Sequence, residues 1–385
     1  MLLSCWESKL KKLLFRLKIV VKSVILKQVY TFLGDDEKMK IKEFLKKKDM
    51  EFSFKRYFID ALGAMAQGLF ASLLIGTIIS TIGTQFNIPV LVEVGGYAKS
   101  AQGAAMAIAI GYALKCPPLV LFSLAAVGVA ANTLGGAGGP LAVLFATIVA
   151  AEFGKVVSKE TKLDIIVTPL VTIFAGVGFS MLCAPYIGEA ASSVGRAIMW
   201  ATELQPFFMG IIVSVVIGIA LTLPISSAAI CAALGLTGLA GGAALAGCCA
   251  NMVGFAVMSF RENKWGGLFA QGIGTSMLQM GNIVKNPRIW IPPILASAIT
   301  GPIATCVFGL EMNGAAVSSG MGTCGLVGQI GVIEGWFSTG TAVTAFDWIG
   351  LVMISFVLPA ILTWLISLPL RKWNWIKQND LKLDL

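Results

Sequence analysis

A chain of 385 residues that is 57% hydrophobic and only 13% charged, with a mean hydropathy of +0.84, is not a soluble globular domain, in which charged residues make up about a quarter. Its net charge of +9 is unevenly placed: residues 1–56 hold 15 Lys+Arg against 7 Asp+Glu, so the rest of the chain is close to neutral and presents no basic face to nucleic acid. Histidine is absent, which excludes a phosphohistidine relay, a His base or a His-ligated metal, and the eight cysteines lack the CxxC spacing of a zinc site.

The composition predicts an all-α, polytopic transmembrane bundle. Apolar runs recur from Ala61 to Leu370, and at about 20 residues per crossing they accommodate on the order of ten spans, some of them discontinuous or re-entrant. The period-two alternation of a membrane barrel is absent. Three parts are expected: a basic segment (1–56), a transmembrane body (57–370) and a tail (371–385).

In residues 9–27 the apolar side chains from Leu10 to Ile25 share one helical face with lysines opposite, which predicts an amphipathic helix lying on anionic membrane lipid. The linker after it is too polar to cross lipid and belongs on the cytoplasmic side. The first span is predicted over Ala61–Gly83. Ala101–Leu114 and Pro118–Ala131 follow, each short, and the proline pair in Lys115-Cys116-Pro117-Pro118 denies continuity between them. Beyond Asn132 the run TLGGAGGP permits close backbone approach, and Leu141–Phe153 leads into a turn carrying Lys155, Lys159 and Lys162.

Ile165–Cys183 spans again, and residues 186–205 read as an amphipathic interfacial connection. Phe207–Leu223 is cut by Pro224, where Ser226, Ser227 and repeated glycines amid apolar residues have the composition of a discontinuous helix. Spans are then expected near Leu268–Val284, Trp290–Leu310 and Ile349–Leu370, with Trp373 and Trp375 at headgroup level beside Arg371 and Lys372. Both termini fall on the cytoplasmic side. An Ala-Gln-Gly triplet at 66–68, 101–103 and 270–272 is a short sign of duplicated halves.

Polar side chains inside such a body mark the candidate site. Glu311 in FGLEMNGAAVSSG is costly in lipid, about 2.5–3.5 kcal/mol for an acidic residue at mid-span even on the lenient scale, so it faces protein or a water-filled path. Its carboxylate and the Asn313 amide can hydrogen-bond the hydroxyls of a sugar-like ligand from one short turn; a structural alternative pairs Glu311 with Lys285 or Arg288. Gln271, Gln279, Asn282 and Gln329 are candidate cavity groups, with Ser226 and Ser227 on a facing element. Asn132 and Asn251 are further polar positions, for which interhelical bonding is the simpler reading. No GxxxxGK[ST] occurs and no span is rich in arginine, which excludes an ATP-hydrolysing pump and a voltage sensor. No cofactor, metal or catalytic phosphoacceptor is expected.

The segments TLPISSAAI (222–230), MVGFAVMSFREN (252–263), AQGIGTSMLQMGNIVKNPRIWIPP (270–293) and GLEMNGAAVSSGMGTCGLVGQ (309–329) resemble the second enzyme IIC family of the bacterial phosphotransferase system, over roughly 52–370. The resemblance implies a permease of the bacterial inner membrane, a homodimer, that works with separate IIA and IIB phosphotransfer proteins. The His and Glu with which glucose-type permeases hold sugar have only a faint counterpart here, Gly331-Val332-Ile333-Glu334, so any phosphoryl group must come from another protein. The expected function is passage of a small polar, sugar-like solute. The alternatives are a non-transporting receptor or regulator and a gradient-driven carrier without phosphotransfer.

Overall fold

The computed structural model describes residues 43–383 apart from 52 and 341, so the predicted amphipathic helix over 9–27 lies outside the described residues. Two compact units are present, Met1–Phe58 and Ile59–Leu385. In the first, Arg56 Nη2 meets Asp49 Oδ2 at 2.9 Å and Phe54 stacks on Phe58.

The second unit is helical throughout. It begins with α1 (Ala61–Leu69), a π-turn, and α2 (Ile75–Gln85), which folds back on α3 (Pro89–Ser100). Next come α4 (Gln102–Ala113), α5 (Pro118–Gly135), α6 (Gly139–Val157) and α7 (Asp164–Thr202). Between α4 and α5 the chain turns at Lys115, whose φ is +55°, and Pro118 opens α5 where its missing N–H costs nothing. At 39 residues, α7 joins the expected span and the expected interfacial connection into one helix through Pro169 and Pro185. Prolines are tolerated inside membrane helices because neighbouring groups re-satisfy the freed carbonyls, so the helix runs on past the expected end of the span at Cys183.

The later half holds α8 (Pro206–Thr222), α9 (Ser227–Ala233), α10 (Gly238–Met258), α11 (Phe260–Phe269), α12 (Met280–Lys285), α13 (Ile291–Pro302), α14 (Ala316–Ser319), α15 (Val327–Thr339), α16 (Ala345–Val352) and α17 (Leu358–Lys372). The span expected over 268–284 is instead four pieces: the end of α11, a π-turn Ala270–Gly274, a 3-10 turn Ser276–Gln279, and α12. Thr275 is extended there, and glycines at 272 and 274 with buried amides at 271, 279 and 282 favour this broken path over a smooth helix.

Among the described residues, six helical stretches are long and apolar enough to cross a membrane: Arg56–Gln85, Pro118–Val157, Asp164–Thr202, Gly238–Met258, Pro287–Val307 and Ala345–Lys372. Two bundles organise the unit. In one, α4, α5, α6 and α7 pack together with α1 against α4; in the other, α8, α13 and α17 surround α10. Helix α10 is buried on every side because Gly, Ala and Cys predominate around it, letting neighbours approach to backbone contact. At Gly247 an added Cβ would lie 1.8 Å from the Ser214 carbonyl of α8.

The crossing is fastened by Asn251, which is fully buried. Its Oδ1 accepts from Thr222 Oγ1 (3.2 Å) and Trp290 Nε1 (3.0 Å), while Nδ2 donates to Gly247 O and Ser297 Oγ. Three of these bonds leave α10 and the fourth, to Gly247 O, stays within it; together they use the amide's full capacity and match the bonding reading the sequence suggested.

Candidate functional site

Two helices of the second bundle are interrupted, and the interruptions meet. Helix α8 stops at Thr222 before Pro224, the Ser226 N–H donates across to Ala137 O of the glycine-rich turn (2.8 Å), and Ser226 Oγ caps the short α9 by accepting from Ala229 N (3.1 Å). The second interruption follows α13: a π-turn Ile303–Val307, Gly309 at φ +55°, an extended stretch through Asn313, and the single turn of α14. Gly238 and Met312 exchange both backbone hydrogen bonds at 3.0 Å as an isolated antiparallel bridge. Ser227 Oγ donates to Gly320 O (2.8 Å) and Ser319 Oγ to Leu236 O, so the two short helices are tied side by side.

Glu311 and Asn313 sit where this pairing ends beyond the C-terminus of α9. Asn313 Nδ2 donates to Glu311 Oε2 at 2.8 Å and Asn313 Oδ1 accepts from Gly238 N at 3.1 Å, which orients the carboxylate through one amide. Glu311 is exposed, with one oxygen left to accept, and among the described residues it forms no ion pair: Lys285 approaches Asn282, and Arg288 lies over the Trp375 ring. Gly242 holds the loop in place, since an added Cβ there would lie 1.8 Å from the Leu310 carbonyl. Gly242→Ala is therefore expected to cost about 2 kcal/mol in overpacking and to displace the loop, read as a lower melting temperature in detergent with unchanged helical circular dichroism.

At the opposite end of α9 a cavity of about 160 Å³ opens where the two bundles adjoin. Ser226 and Ser227 line it with Asn132 and Gln102 from the first bundle and Thr275 from the broken segment; Leu73, Leu221, Met277 and Met321 supply apolar wall. It carries no charge, and its hydroxyls and amides can both donate and accept. Since α9 has seven residues, about 10 Å at 1.5 Å each separates the serines from the Glu311 loop.

Gln271, Gln279 and Asn282 form a buried ladder of their own. Gln271 Nε2 donates to Ser259 Oγ (2.9 Å), Gln279 Nε2 to Gln271 Oε1 (2.8 Å), and Asn282 Nδ2 to Gln279 Oε1 (2.9 Å). The outer groups hold the C-terminal segment: Gln279 Nε2 reaches Leu381 O (3.0 Å), Asn282 Nδ2 reaches Lys382 O (2.8 Å), and Asn263 binds both Leu381 O and Leu383 N. The tail therefore docks on the body. A second cavity, of about 290 Å³, lies beside it between Asp60, Gln67, Asn282, Lys285 and Lys382.

Gln329 stands apart on α15, donating to Ser355 Oγ (2.9 Å) and to Cys249 Sγ, with its Oε1 buried and unpartnered. The eight candidates thus fall into four places: Glu311 with Asn313, Ser226 with Ser227, the amide ladder, and Gln329. Gln102 and Thr275, which line the central cavity, were not singled out in the sequence. Gln102 belongs to the second Ala-Gln-Gly triplet, and the three triplet glutamines reach the second cavity (Gln67), the central cavity (Gln102) and the ladder (Gln271).

A helical body with six membrane-length stretches and two interrupted helices meeting beside an uncharged polar cavity defines a multi-pass membrane protein. The family model described as Phosphotransferase system, EIIC matches residues 59–383, which is nearly the whole second compact unit, and the chain belongs to that family of membrane transport components. No curated protein and no solved structure matches the chain.

Proposed function

We propose that the protein is the permease of a phosphotransferase system, moving a small polar, sugar-like solute across the bacterial inner membrane with both termini cytoplasmic. The observation that carries this reading is the pair of interrupted helices tied together between a neutral polar cavity and a carboxylate-amide pair, the arrangement in which transporters place a binding site at the junction of two bundles. In this reading α9 and α14, too short to cross, are re-entrant, and the shorter apolar helices bring the crossings to about ten.

Ser226, Ser227, Asn132, Gln102 and Thr275 would hold the solute on one side of the seal, and Glu311 with Asn313 on the other. Rocking of one bundle against the other would break Ser227–Gly320 and Ser319–Leu236 and join the two. The amides Gln271, Gln279 and Asn282 support the frame and Gln329 braces α15. With no histidine in the chain, the phosphoryl group would come from a separate IIB protein charged by IIA, the partners with which components of this family work. Two copies would form the working dimer.

The test is uptake by proteoliposomes containing the full chain, over a panel of sugars and polyols, with and without purified IIA and IIB proteins and phosphoenolpyruvate. The expected result is accumulation of a phosphorylated solute only with the partners present. Uptake of free solute without them would replace phosphotransfer by a gradient-driven carrier, and absence of uptake under every condition would remove the permease reading.

A further inference from the structure

A groove of about 350 Å³ runs between the junction of α10 with α11 and the end of α17. Its two walls end together: α10 stops at Met258 and α17 at Lys372, each the last residue of a membrane-length stretch, and Trp373 and Trp375 follow directly. The mouth therefore lies at the boundary between hydrocarbon and water, where tryptophan concentrates. The deep part is apolar, built from Trp265, Leu268, Trp364 and Leu368, and it is open: Trp265 is 63% and Trp364 45% exposed. The Phe260 and Trp265 rings meet edge to face at 5.3 Å. Between them the backbone leaves helical geometry at Lys264 (φ 52°, ψ −149°), a conformation costing about 1–3 kcal/mol, so the Trp265 wall is held by a distorted turn.

The rim is basic, and its two arginines are in different states. Arg371 donates to both carboxylate oxygens of buried Glu262 (3.0 and 3.4 Å) and to Met258 O (2.9 Å), so its charge is met within the protein. Arg261 is exposed and has no acceptor among the described residues. The groove's lining holds two arginines and no carboxylate, and since Glu262 answers Arg371, one positive charge is left unmet at Arg261.

We propose that this groove is a binding site for one anionic phospholipid, with the phosphate on the Arg261 guanidinium and an acyl chain over Trp265, Leu268, Trp364 and Leu368. A planar guanidinium suits bidentate phosphate contact, and a free arginine above an open apolar slot at headgroup level matches a molecule that is anionic at one end and hydrocarbon at the other. A soluble anion would leave the tryptophans uncovered, and a neutral lipid would leave the charge excess unmet. The proposal rests neither on the basic segment 1–56 nor on the transport reading.

The test uses the full chain in neutral vesicles doped with a small fraction of phosphatidylglycerol or phosphatidylcholine carrying brominated acyl chains, read by quenching of tryptophan fluorescence. Brominated phosphatidylglycerol is expected to quench several-fold more than brominated phosphatidylcholine at equal mole fraction. Arg261→Gln is expected to remove most of that excess and Arg261→Lys to retain part of it, both with unchanged melting temperature because Arg261 is exposed and makes no bond among the described residues. Trp265→Phe is expected to reduce the quenchable signal. Equal quenching by the two lipids, or an anionic excess that persists undiminished in Arg261→Gln, would overturn the site.

Discussion

Glu311→Gln is expected to reduce solute uptake by about two- to thirtyfold while leaving membrane insertion and melting temperature unchanged. The substitution is nearly isosteric, and the new side-chain carbonyl can still accept from Asn313 Nδ2, so the bridge between Gly238 and Met312 and the Asn313 contact to Gly238 N survive. What changes is the free oxygen: a charged acceptor becomes a neutral amide that is half donor. Hydrogen bonds to charged groups contribute about 1.5–3 kcal/mol against about 1 for neutral pairs, and each 1.4 kcal/mol is about tenfold in affinity. Transport at the parental rate in proteoliposomes would remove Glu311 from the solute path. Asn313→Ala is the complementary variant, since it frees the carboxylate from its orienting bond and leaves its charge in place.

Gln279→Leu is expected to destabilise the protein by about 3 kcal/mol, the largest stability effect of any exchange at the candidate polar positions. Leucine fills a similar volume, so the cost is one of hydrogen bonding. Gln271 Oε1 loses its donor, Asn282 Nδ2 loses one acceptor, and Leu381 O keeps only Asn263. A buried polar group left unpaired costs about 1–3 kcal/mol, more than the bond itself contributed. The measurable results are a lower melting temperature in detergent and faster tryptic cleavage at Lys377 and Lys382 as the tail loosens. Cleavage and melting equal to the parent would mean that the ladder does not hold the tail.

The sequence made the class of fold legible because hydrophobicity is additive along the chain: the apolar runs expected at 61–83, 165–183, 290–310 and 349–370 each fall within or largely overlap a membrane-length helical stretch and need no partner to be recognised, whereas 238–258, rich in glycine and alanine after Pro224, was not legible as a span. Pro224 and the glycines after it also announced the first interruption, since backbone that cannot continue a helix is a local property, whereas the second begins at Ile303 inside the expected span 290–310. Continuity through Pro185 was not legible, because it depends on what neighbouring helices supply to the freed carbonyls. Nor was the grouping of the polar residues. Gln271, Gln279 and Asn282 look like cavity amides on a short stretch of sequence, and their partners at Leu381 and Lys382 lie a hundred residues away as backbone carbonyls, which leave no mark in side-chain chemistry. Gln102 is a lone amide in an alanine-rich helix; only the meeting of two bundles gives it a cavity to face.

The docking of the tail also sets an order in time. Asn263, Gln279 and Asn282 receive their acceptors from residues made about a hundred positions later, some 5–20 s at ordinary rates of synthesis. During that interval the broken segment from Ala270 to Lys285 has its internal ladder but not the two tail carbonyls, so Gln279 and Asn282 each keep one amide donor turned to water until Leu381 and Lys382 arrive. A chain halted short of Leu381 and Lys382 would leave those donors unmet and present an incompletely packed segment to the cell's membrane proteases.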